Sequence, residues 1–442
     1  MSVTFSTGTN SINFTTDTGT DNLYLKVAGG VVEYNTDGSS TYTSTSVAVN
    51  SDTAVTYKAT SESAPTGTLE LAGMDQGGGN YSTLGPVEVT GNLTTLGSAL
   101  SITGSSITVE NGSSSQPITI STSSGSGSAG ALTLTAPAIT VGTYDQLLAK
   151  GSSSSGDGTI TLTATDTDTG QTYFSLVNQL MDLFNPNFTA MISIDQNVVI
   201  TGGDVSLTAT SGDNNLLADA STAALAAASA IGSPIANYLN QFLSLPISVL
   251  ITKATATTEI GQSASIQSSG SVTVSSSATA NSTGEATYWY PSLFGVLAGR
   301  FAFSKANSDA ESTVDQDATI TATGDVSVTS NTTTTTSGTA LVMQNTGTFP
   351  TNGNNVQLSG AYNNLSTTSL ATVSQGAAIT APQGNVTVSS TADDNDSVNV
   401  QTPSYPVVSL KNSTINEHTH TISKPLNLLD AGHLPSGSYR GG

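Results

Sequence analysis

Cysteine is absent from this 442-residue chain, so it can build neither a disulfide framework nor a thiolate zinc site. Basic residues are scarce: nine Lys and Arg stand against 31 Asp and Glu, a formal net charge of -22. Nucleic-acid binding needs lysines and arginines to neutralise phosphates, and docking on anionic lipid needs a basic patch. Both partner classes are set aside on that ground. No run of about 18 apolar residues occurs, so no membrane-spanning helix is expected. Only 5% of residues are aromatic, with a single Trp, too few to give each member of a string of immunoglobulin-like sandwiches its core ring. Met1 to Phe5 is not a basic segment leading into an apolar run, so no signal peptide is visible. An exported chain of this kind is expected to be a piece of a longer one, or to carry its export signal elsewhere.

What fills the chain is Ser, Thr, Ala, Gly and Asn, with 36% hydrophobic residues. The apolar residues alternate regularly, which a disordered chain has no reason to do. The acidity reads as solubility of an exposed β-surface.

One pattern recurs four times. It reads I-T-G-G-D-V-S-L-T from Ile200, I-Q-S-S-G-S-V-T-V-S from Ile266, I-T-A-T-G-D-V-S-V-T from Ile320 and I-T-A-P-Q-G-N-V-T-V-S from Ile379. An apolar residue leads into a turn holding Gly203, Gly270, Gly324 or Gly384, then a short polar residue, then an alternating strand such as Val326/Val328. In such a strand the valines point one way and Ser327 and Thr329 the other. Stacked on their counterparts, the valines form an apolar ladder inside a tube and the hydroxyls a ladder outside, which is a parallel β-solenoid. The corner glycines are expected to supply positive φ, with the neighbouring Asp, Asn or Ser closing the turn. The repeats lie 66, 54 and 59 residues apart. A three-sided coil needs only about 20 to 25 residues, so each period is expected to hold two coils or more. The paired Lys253-Ala254 and Lys305-Ala306 suggest one shared wall with lysine stems facing solvent.

Upstream, Leu23, Leu25 and Val27 alternate before Gly29-Gly30 turns the chain into Val31 to Tyr34, and Asp37-Gly38 turns it again, a hairpin pattern. Two segments break the β-pattern. Tyr173, Leu176, Val177, Leu180, Met181 and Phe184 follow helical spacing, as does the alanine-rich stretch from Leu216 to Ile231 with a second stripe at Ile235, Leu239, Phe242 and Leu243. The expected architecture is therefore all-β, a right-handed parallel β-helix with a small lateral helical insert. It divides into N-terminal β-structure over 1–85 (a cap or first coils), coils over 86–170, a coil with helical inserts over 171–245, the regular repeats over 246–410, and a C-terminal coil or tail over 411–442.

The A-x-I-x-A-x-G-D-V-x-V-x-S style of repeat resembles that of large repetitive bacterial surface and secreted proteins, the filamentous-haemagglutinin-like adhesins. The resemblance covers 198–400 well and 87–164 loosely. It implies a right-handed β-helical shaft, an extracellular or cell-surface location, and adjoining segments of a longer chain.

Parallel β-helices also carry polysaccharide lyases and hydrolases, whose sites need converging carboxylates, with calcium and a basic residue in the lyases. Asp166/Asp168 and the run Asp393-Asp394-Asn395-Asp396 are the carboxylate candidates, and neither has Arg300 or Arg440 near it in sequence. Calcium is the one cofactor the chemistry allows, on Asp393, Asp394 and Asp396, read as a loop; the spacing matches no EF-hand. His418 and His420 share one face of a strand, and His433 follows, but no cysteine completes a zinc set. Tyr288, Trp289 and Tyr290 form the densest aromatic patch and can stack on sugars. The sequence thus points to a non-catalytic structural or adhesive segment, with host or surface glycans or proteins as partners. The alternatives are a carbohydrate-active enzyme on the same fold and a carbohydrate-binding module centred on Trp289.

Overall fold

The computed structural model describes residues 3–8, 10–16, 22–59, 67–168, 172–173, 181–184, 186–213, 217–219, 247–288, 297–342, 356–401 and 408–420. Within them the chain is a parallel β-solenoid of three walls, without an α-helix; a single 3-10 turn spans Ser154–Gly156. The first wall stacks Ser11–Thr16, Ala54–Ala59, Gly79–Thr83, Leu100–Thr103, Leu132–Thr135, Ile160–Asp168, Val205–Asp213, Val272–Tyr288, Val326–Val342 and Val386–Gln401, each parallel to the next. The second runs from Leu23–Ala28 through Leu69–Met74 and Ala138–Val141 to Val356–Val373 and Val408–His420. The third is built of short strands, among them Val199–Gly202, Ser265–Ser268, Thr319–Ala322 and Ala378–Thr380.

The expected ladders are present. Leu132, Ile160, Val205, Val272, Val326 and Val386 stand in register, as do Leu147, Ile200, Ile266, Ile320 and Ile379. All are buried except Val386, which is half-buried because its strand pairs only with Val326–Val342 among the described residues. Each buried Ile, Leu or Val contributes roughly 1.5–3 kcal/mol relative to exposure.

One expectation about period is corrected. Ile200, Ile266, Ile320 and Ile379 are direct register partners, so each period is one coil, not two. The additional residues lengthen two of the walls sideways. First-wall strands grow from 4 residues at Leu132–Thr135 to 9 at Ile160–Asp168 and 17 at Val272–Tyr288. Second-wall strands grow from 4 at Ala138–Val141 to 14 at Ile247–Ile260 and 18 at Leu297–Val314. The third wall stays at 3 or 4 residues.

Beyond the apolar lumen the two long walls face each other as a two-sheet arm whose interior is mainly Ser, Thr, Ala and Gly, with Leu250, Asn363 and Leu365 among them. Ser276, Ser282, Ser304, Ser308, Ser312, Ser330, Thr334 and Thr367 are buried there. Small side chains let the sheets approach, and the hydroxyls then find partners on the opposite wall. Ser282 Oγ donates to Leu250 O at 3.0 Å, Thr252 Oγ1 to Asn281 O at 3.0 Å, Ser312 Oγ to Thr329 O at 2.7 Å and Ser330 Oγ to Ala310 O at 2.7 Å. A buried hydroxyl without such a partner costs about 1–3 kcal/mol, so the pairing is what makes a polar interior tolerable.

The corner glycines are needed for a different reason from the one expected. Gly203, Gly270, Gly324 and Gly384 do not have positive φ. A Cβ on Gly324 would lie 2.6 Å from Ser271 Oγ, and one on Gly203 2.9 Å from Asp157 O, so coils stack here too closely for any side chain. The polar residue after each glycine reaches the next coil: Ser271 N donates to Asp204 Oδ1 and Asn385 N to Asp325 Oδ1, both at 2.7 Å.

The N-terminal strands differ in direction. Val3–Gly8 pairs antiparallel with Ser11–Thr16, and Leu23–Ala28, Val31–Asn35 and Thr43–Ala48 form an antiparallel meander. Gly29 and Gly30 turn it with φ of 58° and 73°. Phe5, Phe14 and Tyr34 meet with ring centroids 5.3–6.0 Å apart and close the lumen.

The helical reading is corrected wherever it falls on described residues. Thr172–Tyr173 pairs with Leu217–Ala218, and Met181–Phe184 with Ile247–Leu250, all as parallel strands. Pairing with a neighbouring strand overrides the helical spacing, since strand formation is set by the partner strand more than by local preference. Residues 174–180 and 220–246, which carry the rest of that reading, lie outside the described residues.

Candidate functional site

The acidic run lies in the strand Val386–Gln401, not in a loop: Asp393, Asp394 and Asp396 stand beside Thr333, Thr334 and Thr336. Strand alternation therefore divides it, with Asp393 on the outer face and Asp394 and Asp396 on the inner one. Asp396 Oδ1 accepts from Thr336 Oγ1 at 2.9 Å and from Asn363 Nδ2 at 2.7 Å, tying the two arm walls together. Among the described residues no group of three His, Cys, Asp or Glu side chains is placed to hold a metal ion. Asp166 Oδ2 accepts the backbone N–H of Thr189 at 2.6 Å, across to the second wall, a structural use of that carboxylate.

Tyr288 ends the strand Val272–Tyr288 in register with Val342, at the open edge of the arm; Trp289 and Tyr290 lie outside the described residues. His418 and His420 occupy strand positions beside Leu370 and Thr372, two residues apart, and His433 lies outside the described residues. Lys253 and Lys305 share the second wall as expected, but out of step: Lys253 faces Asn307, and Ile251 faces Lys305. Phe303 and Tyr362 stack on that wall's outer face, centroids 5.1 Å apart at 15°. Each ring covers one face of the other.

One concave feature among the described residues is one that sequence reasoning missed. Between the second and third walls the chain turns through Asp195-Gln196-Asn197, Gly261-Gln262-Ser263, Asp315-Gln316-Asp317 and Ser374-Gln375-Gly376. The last residue of each is left-handed, with φ of 60°, 57°, 59° and 89°, and Tyr144 takes the same conformation one coil earlier at 66°. Non-glycine residues in this region cost roughly 1–2 kcal/mol each, and Asn, Asp and Gly bear it best. Successive corners hold each other through the backbone: Asn197 N donates to Gln262 O and Ser263 N to Gln316 O, both at 3.1 Å. An open groove of about 560 Å³ runs over them, lined by Gln262, Asp315, Gln316, Asp317, Ser374 and Gln375. Beside it Glu259 has its carboxyl raised, first by burial and then by the charges of Asp315, Glu311 and Asp195. Carboxylates and amides at this spacing can exchange hydrogen bonds with hydroxyl-rich ligands. The signal was present in the sequence as a Gln at four successive second-to-third-wall corners, but the glycine turn of the repeat masked it.

Among the described residues no helix is long and apolar enough to cross a membrane. No protein-family model, curated protein or solved structure matches the chain.

Proposed function

We propose that this chain is a non-catalytic structural and adhesive β-solenoid segment of a bacterial secreted or cell-surface protein, acting as shaft or spacer beside further segments of a longer chain. The observation that carries this reading is the unbroken parallel register of the first wall from Ser11 to Gln401, capped antiparallel at its N-terminal end. A stack of this kind converts added sequence into length or width without needing a new core. Its outer first-wall ladder Ser101, Thr133, Thr161, Ser206, Thr273, Ser327 and Thr387 is uncharged and hydroxylic, which suits a solvated shaft. Ligand contact falls to features that interrupt the repeat, the aromatic run Tyr288, Trp289 and Tyr290 foremost, meeting host or surface glycans or proteins.

A carbohydrate-binding role is the second reading, and the Gln-lined groove favours it. A carbohydrate-active enzyme has less support, because the acidic run is divided between two faces and Asp166 and Asp396 serve as backbone and cross-wall acceptors. The test is binding of the intact chain to glycan arrays and cell surfaces, alongside Trp289→Ala and Gln316→Ala. Binding lost in the first variant supports the aromatic run, and in the second the groove. Polysaccharide cleavage that disappears on Asp394→Asn would overturn the non-catalytic reading.

A further inference from the structure

Asp145 sits at the corner just before the third-wall strand Gln146–Leu148 and is fully buried. Its Oδ1 accepts the backbone N–H groups of Gly112 and Ile118, both at 3.1 Å, from the coil below. Those two amides are the two feet of an excursion whose exposed tip is closed by Ser113 N to Gln116 O at 3.0 Å and Gln116 N to Ser113 O at 3.1 Å. The fit is close: a Cβ on Gly112 would lie 2.6 Å from the same Oδ1. The other carboxyl oxygen, Oδ2, is equally buried and has no hydrogen-bond partner.

A carboxylate placed this way is half satisfied. Ionisation strengthens the two bonds at Oδ1 but leaves charge at Oδ2 with neither water nor donor, and the second effect dominates. Burial raises the Asp145 carboxyl from 3.8 to about 6, against the opposing pull of the Ile118, Gly112 and Gly142 amides. The Gly142 N–H is itself bonded to Val109 O at 3.2 Å. Asp195, at the corner of the coil above, adds like charge. Glu110, which precedes the excursion, turns instead to Glu88. No Lys or Arg contributes to the shift.

We propose that Asp145 is a proton-operated latch: its neutral carboxyl holds the 112–118 loop shut against the corner, and loss of the proton loosens the loop. The sign follows from linkage. A carboxyl whose closed-state pKa is raised favours the closed state fully below its ordinary pKa, and that preference is lost as pH rises through the raised value. The loop is thus set in acid and looser at neutral pH. That places a pH-dependent surface, carrying Ser113, Ser114, Ser115 and Gln116, on an otherwise rigid shaft.

The test is amide hydrogen exchange on the full chain from pH 4 to 7.5, corrected for intrinsic exchange and read at Gly112 and Ile118. The opening constant is expected to rise up to about 100-fold across the window, the equivalent of the roughly two-unit shift. Asp145→Asn, which keeps the Oδ1 acceptor and removes the charge, should hold the loop shut at every pH. Asp195→Asn, which leaves Asp145 in place, should move the step to lower pH. Exchange without a step, a step that persists in Asp145→Asn, or a midpoint unmoved in Asp195→Asn would overturn the latch. Protection that follows added calcium at constant pH would also overturn it, in favour of a cation.

Discussion

Val326 shows how much one side chain carries. It is fully buried between its register partners Val272 and Val386, and its neighbours Ser327 and Thr329 face outward. Val326→Asp is expected to destabilise the chain by about 3–5 kcal/mol, because the charge has no partner in the lumen. The same change at half-buried Val386 should cost clearly less. Denaturant midpoints of the two variants measure the difference, and equal midpoints would contradict the lumen assignment. Gly376 offers a test of the Gln corner: its φ is 89° and a Cβ there would press on Asp317 Oδ1, so Gly376→Val should lower stability by at least about 1–2 kcal/mol, through backbone strain and this close approach together. Gly324→Ala should also destabilise, for the separate reason that its Cβ would press on Ser271 Oγ.

At the scale of elements, the arms are held by hydroxyls rather than by apolar area. Ser330 Oγ donates to Ala310 O and accepts from Leu370 N at 3.2 Å, joining both walls. Ser330→Ala should cost about 1 kcal/mol for the lost bond and the orphaned amide together, again read from denaturant midpoints. This interior also explains what could be read beforehand. Where the inner face is Val, Ile or Leu against outer Ser or Thr, the alternation is visible, and the ladders through Val205, Val272 and Val326 were legible. In the arms the inner residues are mainly Ser, Thr and Ala, while the outer ones mix Thr, Ser and Asn with Lys, Asp, Glu and the rings of Phe303 and Tyr362, so no apolar-inside, polar-outside contrast marks the strands. The long arm strands, and with them the single-coil period, were invisible for that reason, whereas Thr172–Tyr173 and Met181–Phe184 were misread because the apolar residues around them also fit helical spacing. The Gln corner was hidden differently: a left-handed Asn197, Ser263 or Asp317 does not announce itself as a glycine does. The divided acidic run was misread because Asp is a poor strand former, and only pairing with Thr333 to Thr336 makes it one.

For the whole molecule, the net charge of -22 and the carboxyls with raised pKa act in the same direction. Burial raises the carboxyls of Glu88, Asp145, Glu259 and Asp309, so each favours the fold below its ordinary pKa and loses that contribution as pH rises through its folded value. The chain should therefore melt at a higher temperature near pH 5 than near pH 8, with added salt narrowing the gap by screening the overall repulsion. A higher melting temperature at pH 8 would contradict it.

The account stands or falls on one coil per period in parallel register, and the lack of native cysteine makes this directly measurable. Thr273 and Ser327 are register partners on the outer face, as are Thr283 and Ser337 ten residues along the same two strands. Neighbouring parallel strands lie about 4.8 Å apart, within disulfide reach, whereas ten residues along a strand span about 33 Å. The account predicts that Thr273→Cys/Ser327→Cys and Thr283→Cys/Ser337→Cys each form an intramolecular disulfide under mild oxidation, while Thr273→Cys/Ser337→Cys does not. Cross-linking of the last pair in place of the first two would mean antiparallel strands and would contradict the solenoid.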